Sequence, residues 1–170
     1  SQSSSPEPAV LPPPAQATLD AIGDAIGMLC RSLPITKIVT VTKGGFSARM
    51  VSAQRPSQPI LAVTNDPRVA RRFNLFPGTT GIAVDVPFSR RSTDHIAECL
   101  EELWKRGLLE ERDVVLVTSV SYPGPGNRMN LIETHHVSDL AKALGWRKDV
   151  PAAIDDALAA AGAGEAARRP

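Results

Sequence analysis

The sequence is short of cysteine, of net charge and of long apolar runs, and each shortage removes a class of function. Only two cysteines occur, Cys30 and Cys99, each among apolar residues of a predicted helix and without a neighbouring Cys or His. They read as buried free thiols of a reducing compartment, not as a disulfide or a metal pair. The 19 basic and 18 acidic residues leave a formal charge of +1. That is far from the cationic excess needed to follow a nucleic acid backbone or an anionic lipid surface, so neither partner is expected. No stretch approaches the roughly 18 apolar residues that span a bilayer, and the first residues lack a charged segment followed by an apolar one. A cytoplasmic protein is the expectation. No internal repeat is visible; 170 residues with 42% hydrophobic content suit one ordinary domain with a filled core.

Proline, by contrast, is plentiful and unevenly placed. Residues 1–16, "SQSSSPEPAVLPPPAQ", hold Pro6, Pro8, Pro12, Pro13 and Pro14 among serines, the composition of a disordered leader or linker, stiff in its second half. At the other end, residues 138–170 are predicted to be a helical, alanine-rich tail. Within it, "AAIDDALAAAGAGEAARRP" offers only Ile154 and Leu158 for burial and should fray near Gly162 and Gly164. The domain is expected between these, over residues 17–137.

Between the tails the periodicities alternate. Leu19, Ile22, Ile26, Leu29 and Leu33 follow helical spacing, predicting an amphipathic helix over 18–31 from a Thr18 cap. The β-branched run "KIVTVT" (37–42) predicts a buried strand, Ser47 to Gln54 a helix, and "PILAVT" (59–64) a second strand. "NDP" (65–67) sets a capping side chain before a proline and opens a helix through Phe73. "GIAVDV" (81–86) predicts a third strand. Ser92 or Thr93 then caps a helix whose stripe is Ile96, Cys99, Leu100, Leu103 and Trp104, ended by Gly107. "DVVLVT" (113–118) and "RMNLIET" (128–134) predict the fourth and fifth strands. Strands alternating with helices imply βαβ crossovers and a mostly parallel sheet covered on both faces. Nine residues between the last two strands are too few for a crossover helix, so the fifth strand returns antiparallel.

In such sheets ligands collect beyond the carboxyl ends of the strands. One candidate loop there is Thr42, Lys43, Gly44, Gly45, Phe46 and Ser47. Two glycines allow a tight turn with outward amides, the following helix presents its positive dipole end, and Lys43 adds a charge, together a place for a small anion. The glycine spacing and residue order are wrong for a Walker motif. The alternative is that the glycines only make the turn and Ser47 only caps the helix. A second candidate is "SVSYPGPGNR" (119–128), where Pro123, Gly124, Pro125 and Gly126 make a rigid excursion that either folds over a ligand or decorates a hairpin. Other chemistry finds little support. His135 and His136 are adjacent and point to opposite sides of an extended chain, His95 lies in a helix start, and Asp85, Asp94, Glu98, Glu101 and Glu102 read as the solvated face of a helix and its approach. Arg68, Arg71 and Arg72 form a short basic face on one helix.

Taken in order, "VTVTKGGFSARMVSAQRPSQPILAVTNDPRVARRFNLFPG", "RGLLEERDVVLVTS", the "PGPG" loop and "RMNLIE" resemble the C-terminal domain of pyruvate kinase, over about residues 18–137. The resemblance implies an α/β fold: three α/β/α layers around a five-stranded mixed sheet, mostly parallel, with the last strand antiparallel. It implies an allosteric sugar-phosphate effector whose phosphate lies in the turn matching Thr42, Lys43, Gly44, Gly45 and Ser47, with Pro123, Gly124, Pro125 and Gly126 closing over the remainder. It also implies subunit contacts, as a homo-oligomer or with a catalytic chain. Phe46 departs from the pattern, standing where many members carry a basic or polar residue. The family's catalytic groups belong to a barrel of about 250 residues that cannot fit beside this domain in 170. Phosphoryl transfer needs positioned metal ions and several cations. No catalytic residue, metal site or cofactor is therefore expected here. The resulting expectation is a non-catalytic regulatory module binding a phosphorylated metabolite; the alternatives are an assembly domain with an empty turn, or one part of a split or larger pyruvate kinase.

Overall fold

Strand formation follows the β-branched runs, and alternation along each strand decides which helices cover it. The structure, a computed structural model, describes residues 13–89, 91–120 and 129–147, with side chains from residue 18 onward. The strands are β1 (Lys37–Val41), β2 (Ile60–Thr64), β3 (Thr79–Ala83), β4 (Val114–Ser119) and β5 (Leu131–His136). They form one sheet in the order β3-β2-β1-β4-β5, with β4 and β5 antiparallel and every other pair parallel. The helices are α1 (Pro13–Ser32), α2 (Phe46–Ala53), α3 (Pro67–Phe73), α4 (Asp94–Lys105) and α5 (Val137–Leu144).

One face of the sheet packs Ile38, Ile60 and Leu116 against Ile26 and Cys30 of α1 and Val51 of α2. On the same face Ala62 meets Ala48 and the Phe73 ring of α3. The opposite residues of the same strands, Val39, Val41, Leu61, Val63, Val115 and Val117, meet the stripe Ile96, Cys99, Leu100, Leu103 and Trp104 of α4, with Val137 of α5 alongside. Two opposed helical layers on a mixed sheet are the expected three-layer arrangement.

Several boundaries differ from the sequence reading, each for a pairing or capping reason. β3 begins at Thr79, because Thr79 to Ala83 pair with Ile60 to Thr64. β5 starts three residues and ends two residues later than expected, at Leu131–His136, since its register sets Ser119 against Leu131 and Val114 against His136. α1 starts at Pro13, upstream of the expected Thr18 cap; proline is tolerated in a first turn, where its missing donor has no partner to lose. Thr93 precedes α4 without capping it, and the Ser89 hydroxyl instead accepts from the amides of Arg91 and Ser92. Asp66 does cap α3, accepting from the amides of Arg68 and Val69, with Pro67 behind it. Gly107, at φ 70°, follows the end of α4 as expected. Of the expected tail, α5 is seen to Leu144; the leader to residue 12 and positions from 148 onward, including Ile154, Leu158, Gly162 and Gly164, lie outside the described residues.

Two contacts hold the frame. A Cβ on Gly81 would lie 1.8 Å from the Ala70 carbonyl oxygen, so only glycine lets α3 approach β3. At the amino end of the central strands, Asp113 is 4% exposed and gathers three groups of the chain. Its carboxylate accepts from Lys37 Nζ at 2.7 Å, from the Thr36 hydroxyl at 2.8 Å and from the Glu110 amide at 2.8 Å, while Lys37 also donates to the Leu108 carbonyl. Burial alone would push this carboxyl up. The bonds from Lys37, Glu110 and Thr36, with the Lys37 charge, outweigh it and hold the group below its ordinary value.

Gly81→Ala should lower the unfolding free energy by about 3 kcal/mol, the upper end of overpacking costs; an unchanged urea midpoint would disprove the close approach. For Asp113 the depressed folded value means its contribution is present above the unfolded value near 4 and is lost as pH falls through the folded one. Asp113→Asn should therefore cost about 2 kcal/mol at neutral pH, and the gap between the two denaturation midpoints should close on acidification below about pH 4. A gap independent of pH would refute the assignment.

Candidate functional site

The order β3-β2-β1-β4-β5 means that the chain leaves β1 toward β2 and β3 and later returns, through α4, to the other side of β1. The connections at the carboxyl ends of β1 and β4 therefore diverge, opening the crevice where doubly wound sheets take ligands. Both loops singled out in the sequence spring from these two strand ends. Thr42 to Ser47 follows β1, and the loop bearing Pro123, Gly124, Pro125 and Gly126 follows β4. Those four residues lie outside the described residues.

The turn after β1 is tied down by its own side chains. Thr42 is still anchored to β2, its amide donating to the Val63 carbonyl at 2.9 Å. Its hydroxyl, in a residue only 7% exposed, accepts from the Gly45 amide at 3.1 Å. The Thr64 hydroxyl donates to the Lys43 carbonyl at 3.3 Å, so β2 braces the turn from beside it. Lys43 and Gly44 are exposed. Gly45 adopts φ 93°, and a Cβ there would fall 2.4 Å from Cε1 of Phe73; the left-handed backbone and the ring each demand glycine. A Cβ on Gly44 would meet nothing within 4 Å.

Ser47 is not the helix cap. Gly45 holds that position without a side-chain bond, and Ser47 is buried in the first turn at 1% exposure. The first closed turn of α2 runs from the Arg49 amide to the Gly45 carbonyl at 3.0 Å, which leaves the amides of Phe46, Ser47 and Ala48 ahead of the helical ladder. Phe46, the residue that departs from the family pattern, is half-buried. Beside the exposed Lys43, these three amides and the helix dipole form an arrangement suited to a small anion, with charge supplied mainly by backbone.

Two further residues were not anticipated. Thr40 and Thr118 are register partners on β1 and β4, both fully buried on the α1/α2 face, and neither hydroxyl has a hydrogen-bond partner among the described residues. They set polar groups in the sheet floor two positions before the turn and at the end of β4. The sequence signal was the intrusion of Thr into otherwise aliphatic runs, "IVTVT" and "VLVTS".

The remaining candidates lie apart from this crevice. His95 is 6% exposed in the first turn of α4 and rests against the Phe88 ring at 5.1 Å; burial lowers its pKa. His135 pairs with Glu133 on β5 at 2.8 Å, while His136 faces solvent. Cys30 and Cys99 are buried free thiols, Cys30 shifted upward by burial and Cys99 pushed up by burial to about 12, so neither presents a thiolate nucleophile. Arg68, Arg71 and Arg72 are exposed on α3. Among the described residues no helix is long and apolar enough to cross a membrane.

Comparison with known proteins bears on the same segment. Residues 20–135 match the family described as "Pyruvate kinase, alpha/beta domain". Pyruvate kinase of Geobacillus stearothermophilus is 32% identical over 133 residues, 77% of this chain and 22% of that protein. Pyruvate kinase of Bacillus licheniformis is 30% identical over 152 residues, 88% of this chain and 25% of the relative, and that of Agrobacterium vitis is 32% identical over 122 residues, 71% and 25% respectively. The chain thus spans about a quarter of the length of the curated relatives it matches. With a five-stranded mixed sheet between helical layers and a family match covering most of its length, this chain belongs to the pyruvate kinase α/β domain family.

Proposed function

We propose that residues 17–137 form a non-catalytic regulatory module of the cytoplasm that binds a phosphorylated metabolite at Thr42, Lys43, Gly44, Gly45 and Ser47 and associates with other subunits. The observation that carries this reading is the turn at the switch point: three amides ahead of the α2 ladder, the N-terminal end of that helix and an exposed Lys43 converge at the carboxyl end of β1. Each is a device for stabilising negative charge, and none supplies a base or nucleophile. Pro123, Gly124, Pro125 and Gly126, on the connection after β4, would cover the rest of a sugar phosphate. The bound species is then recognised by charge and shape, and its effect is carried to partners through the helices.

A second reading is favoured by the quarter-length coverage of the relatives: the segment is one part of a larger or split pyruvate kinase, the barrel-borne chemistry lying on other sequence. The half-buried Phe46 supports a third, an assembly domain whose turn stays empty. Binding separates the first from the third, and activity separates the second.

Titration calorimetry with a hexose bisphosphate and hexose monophosphates should give measurable heats. Lys43→Ala or Ser47→Ala should weaken binding several-fold, on the order of 1 kcal/mol for a bond to a charged group. Heats that neither substitution changes would reject the site. A coupled assay for pyruvate from phosphoenolpyruvate should show no turnover by these 170 residues alone; robust turnover would overturn the non-catalytic reading.

A further inference from the structure

The basic face of α3 takes no part in the turn after β1. Arg68, Arg71, Arg72 and Leu75 stand at the spacing i, i+3, i+4 and i+7, opposite the buried Ala70 and Phe73, and all four are exposed. The neighbouring α2 adds the exposed Arg49 and, just after its end, Arg55. The Ser52 hydroxyl donates to the Pro77 carbonyl at 2.8 Å, which sets the end of α2 against the turn that carries Leu75.

Charge on this face is of one sign. From residue 46 to residue 77 the chain holds those five arginines, no lysine and one carboxylate, Asp66, which is occupied by the amides of Arg68 and Val69. Asp20 and Asp24, the exposed carboxylates of α1, lie on the far side of α2 from α3. Arg71 Nε donates to the Pro67 carbonyl one turn back at 3.4 Å, and among the described residues none of the five guanidinium groups enters an ion pair.

The apolar member of the stripe is held in place. Leu75 is 82% exposed, the most of any large hydrophobic residue among the described ones. Its amide donates to the Arg72 carbonyl at 3.2 Å, the Phe76 amide to the Phe73 carbonyl at 2.9 Å, and the rings of Phe73 and Phe76 stack at 6.2 Å beneath. Arg55 is likewise fixed, at φ 49° the only non-glycine residue in the left-handed region among those described, with its amide on the Ser52 carbonyl at 3.1 Å.

These features select among anionic partners. Guanidinium forks match carboxylates two bonds at a time, and arginine is enriched at protein interfaces where lysine is depleted. A phosphodiester backbone offers nothing to Leu75, and no ring is exposed here for a base to stack on, Phe46 and Phe76 being half-buried and Phe73 buried. A lipid surface calls for a broader apolar face than one leucine.

We propose that the outer face of α2 and α3 is a docking surface for an acidic segment of another polypeptide, its carboxylates on Arg55, Arg68, Arg71 and Arg72 and an apolar side chain on Leu75. The proposal rests on the association part of the functional reading and is independent of an anion at the turn.

The test uses the 170-residue chain and a short fluorescent peptide of glutamates and alanines around one leucine, blocked at both ends. Anisotropy should show binding that falls with added salt. It should weaken at least several-fold when Arg68→Gln and Arg72→Gln are combined, and again for Leu75→Ser or for a peptide with serine in place of its leucine. No binding at low salt, or binding indifferent to these changes, overturns the proposal. So does tighter binding of single-stranded oligothymidylate or of phosphatidylserine vesicles. Self-association that Leu75→Ser abolishes in sedimentation overturns it too, making a second copy the occupant. Hexose phosphate heats are read on the same proteins: their absence strikes the turn and leaves this surface, whereas absent peptide binding strikes this surface and leaves the turn.

Discussion

Parallel pairing on both sides of β1 is the constraint that dictates the rest of the architecture. Ile38 to Val41 are in register with β2 and Lys37 to Thr40 with β4. A strand paired in parallel on both edges cannot be reached by tight turns, so each connection must climb over a face of the sheet and return. The chain meets this demand with α2 and α3 on one face and α4 on the other, and its own N-terminal α1 joins the first set. Reversal of direction at β1 is then unavoidable, and with it the gap between the ends of β1 and β4. The crevice is a consequence of the winding, before any particular side chain is considered.

The two ends of the sheet treat their polar groups differently. At the amino end Asp113 satisfies Thr36, Lys37 and the Glu110 amide in one buried cluster, and the groups there are spent on holding strands together. At the carboxyl end Thr42 and Thr64 brace the turn through its backbone, yet the hydroxyls of Thr40 and Thr118 remain without partners among the described residues. Buried unpartnered hydroxyls each cost on the order of 1–3 kcal/mol. The polar groups of the sheet are thus satisfied at its amino end and left less so at its carboxyl end, where the crevice opens.

Much of the fold was legible because its signals were local. Runs of Val and Ile, the "NDP" cap and Gly107 each act over a few residues, and the short β4–β5 connection dictated an antiparallel return. Boundaries were less legible where they depended on partners. β3 begins at Thr79 only because β2 lies beside it, and β5 is displaced toward His136 only because the hairpin register places it there. The turn was visible as a cluster of glycines, but the division of roles within it was not. That Ser47 is buried and Gly45 is the cap depends on how α2 settles against β1 and Phe73, and the pairing of Thr40 with Thr118 joins residues 78 positions apart.

The two adjacent glycines of the turn have opposite freedoms. Gly45 is moulded on one side by the Phe73 ring and on the other by a backbone angle that side chains rarely accept, whereas Gly44 borders open space. Any lineage or library that varies this loop therefore has a single adjustable seat in an otherwise rigid mould. New chemistry enters at position 44, over the mouth of the crevice, while position 45 keeps the shape of the rim.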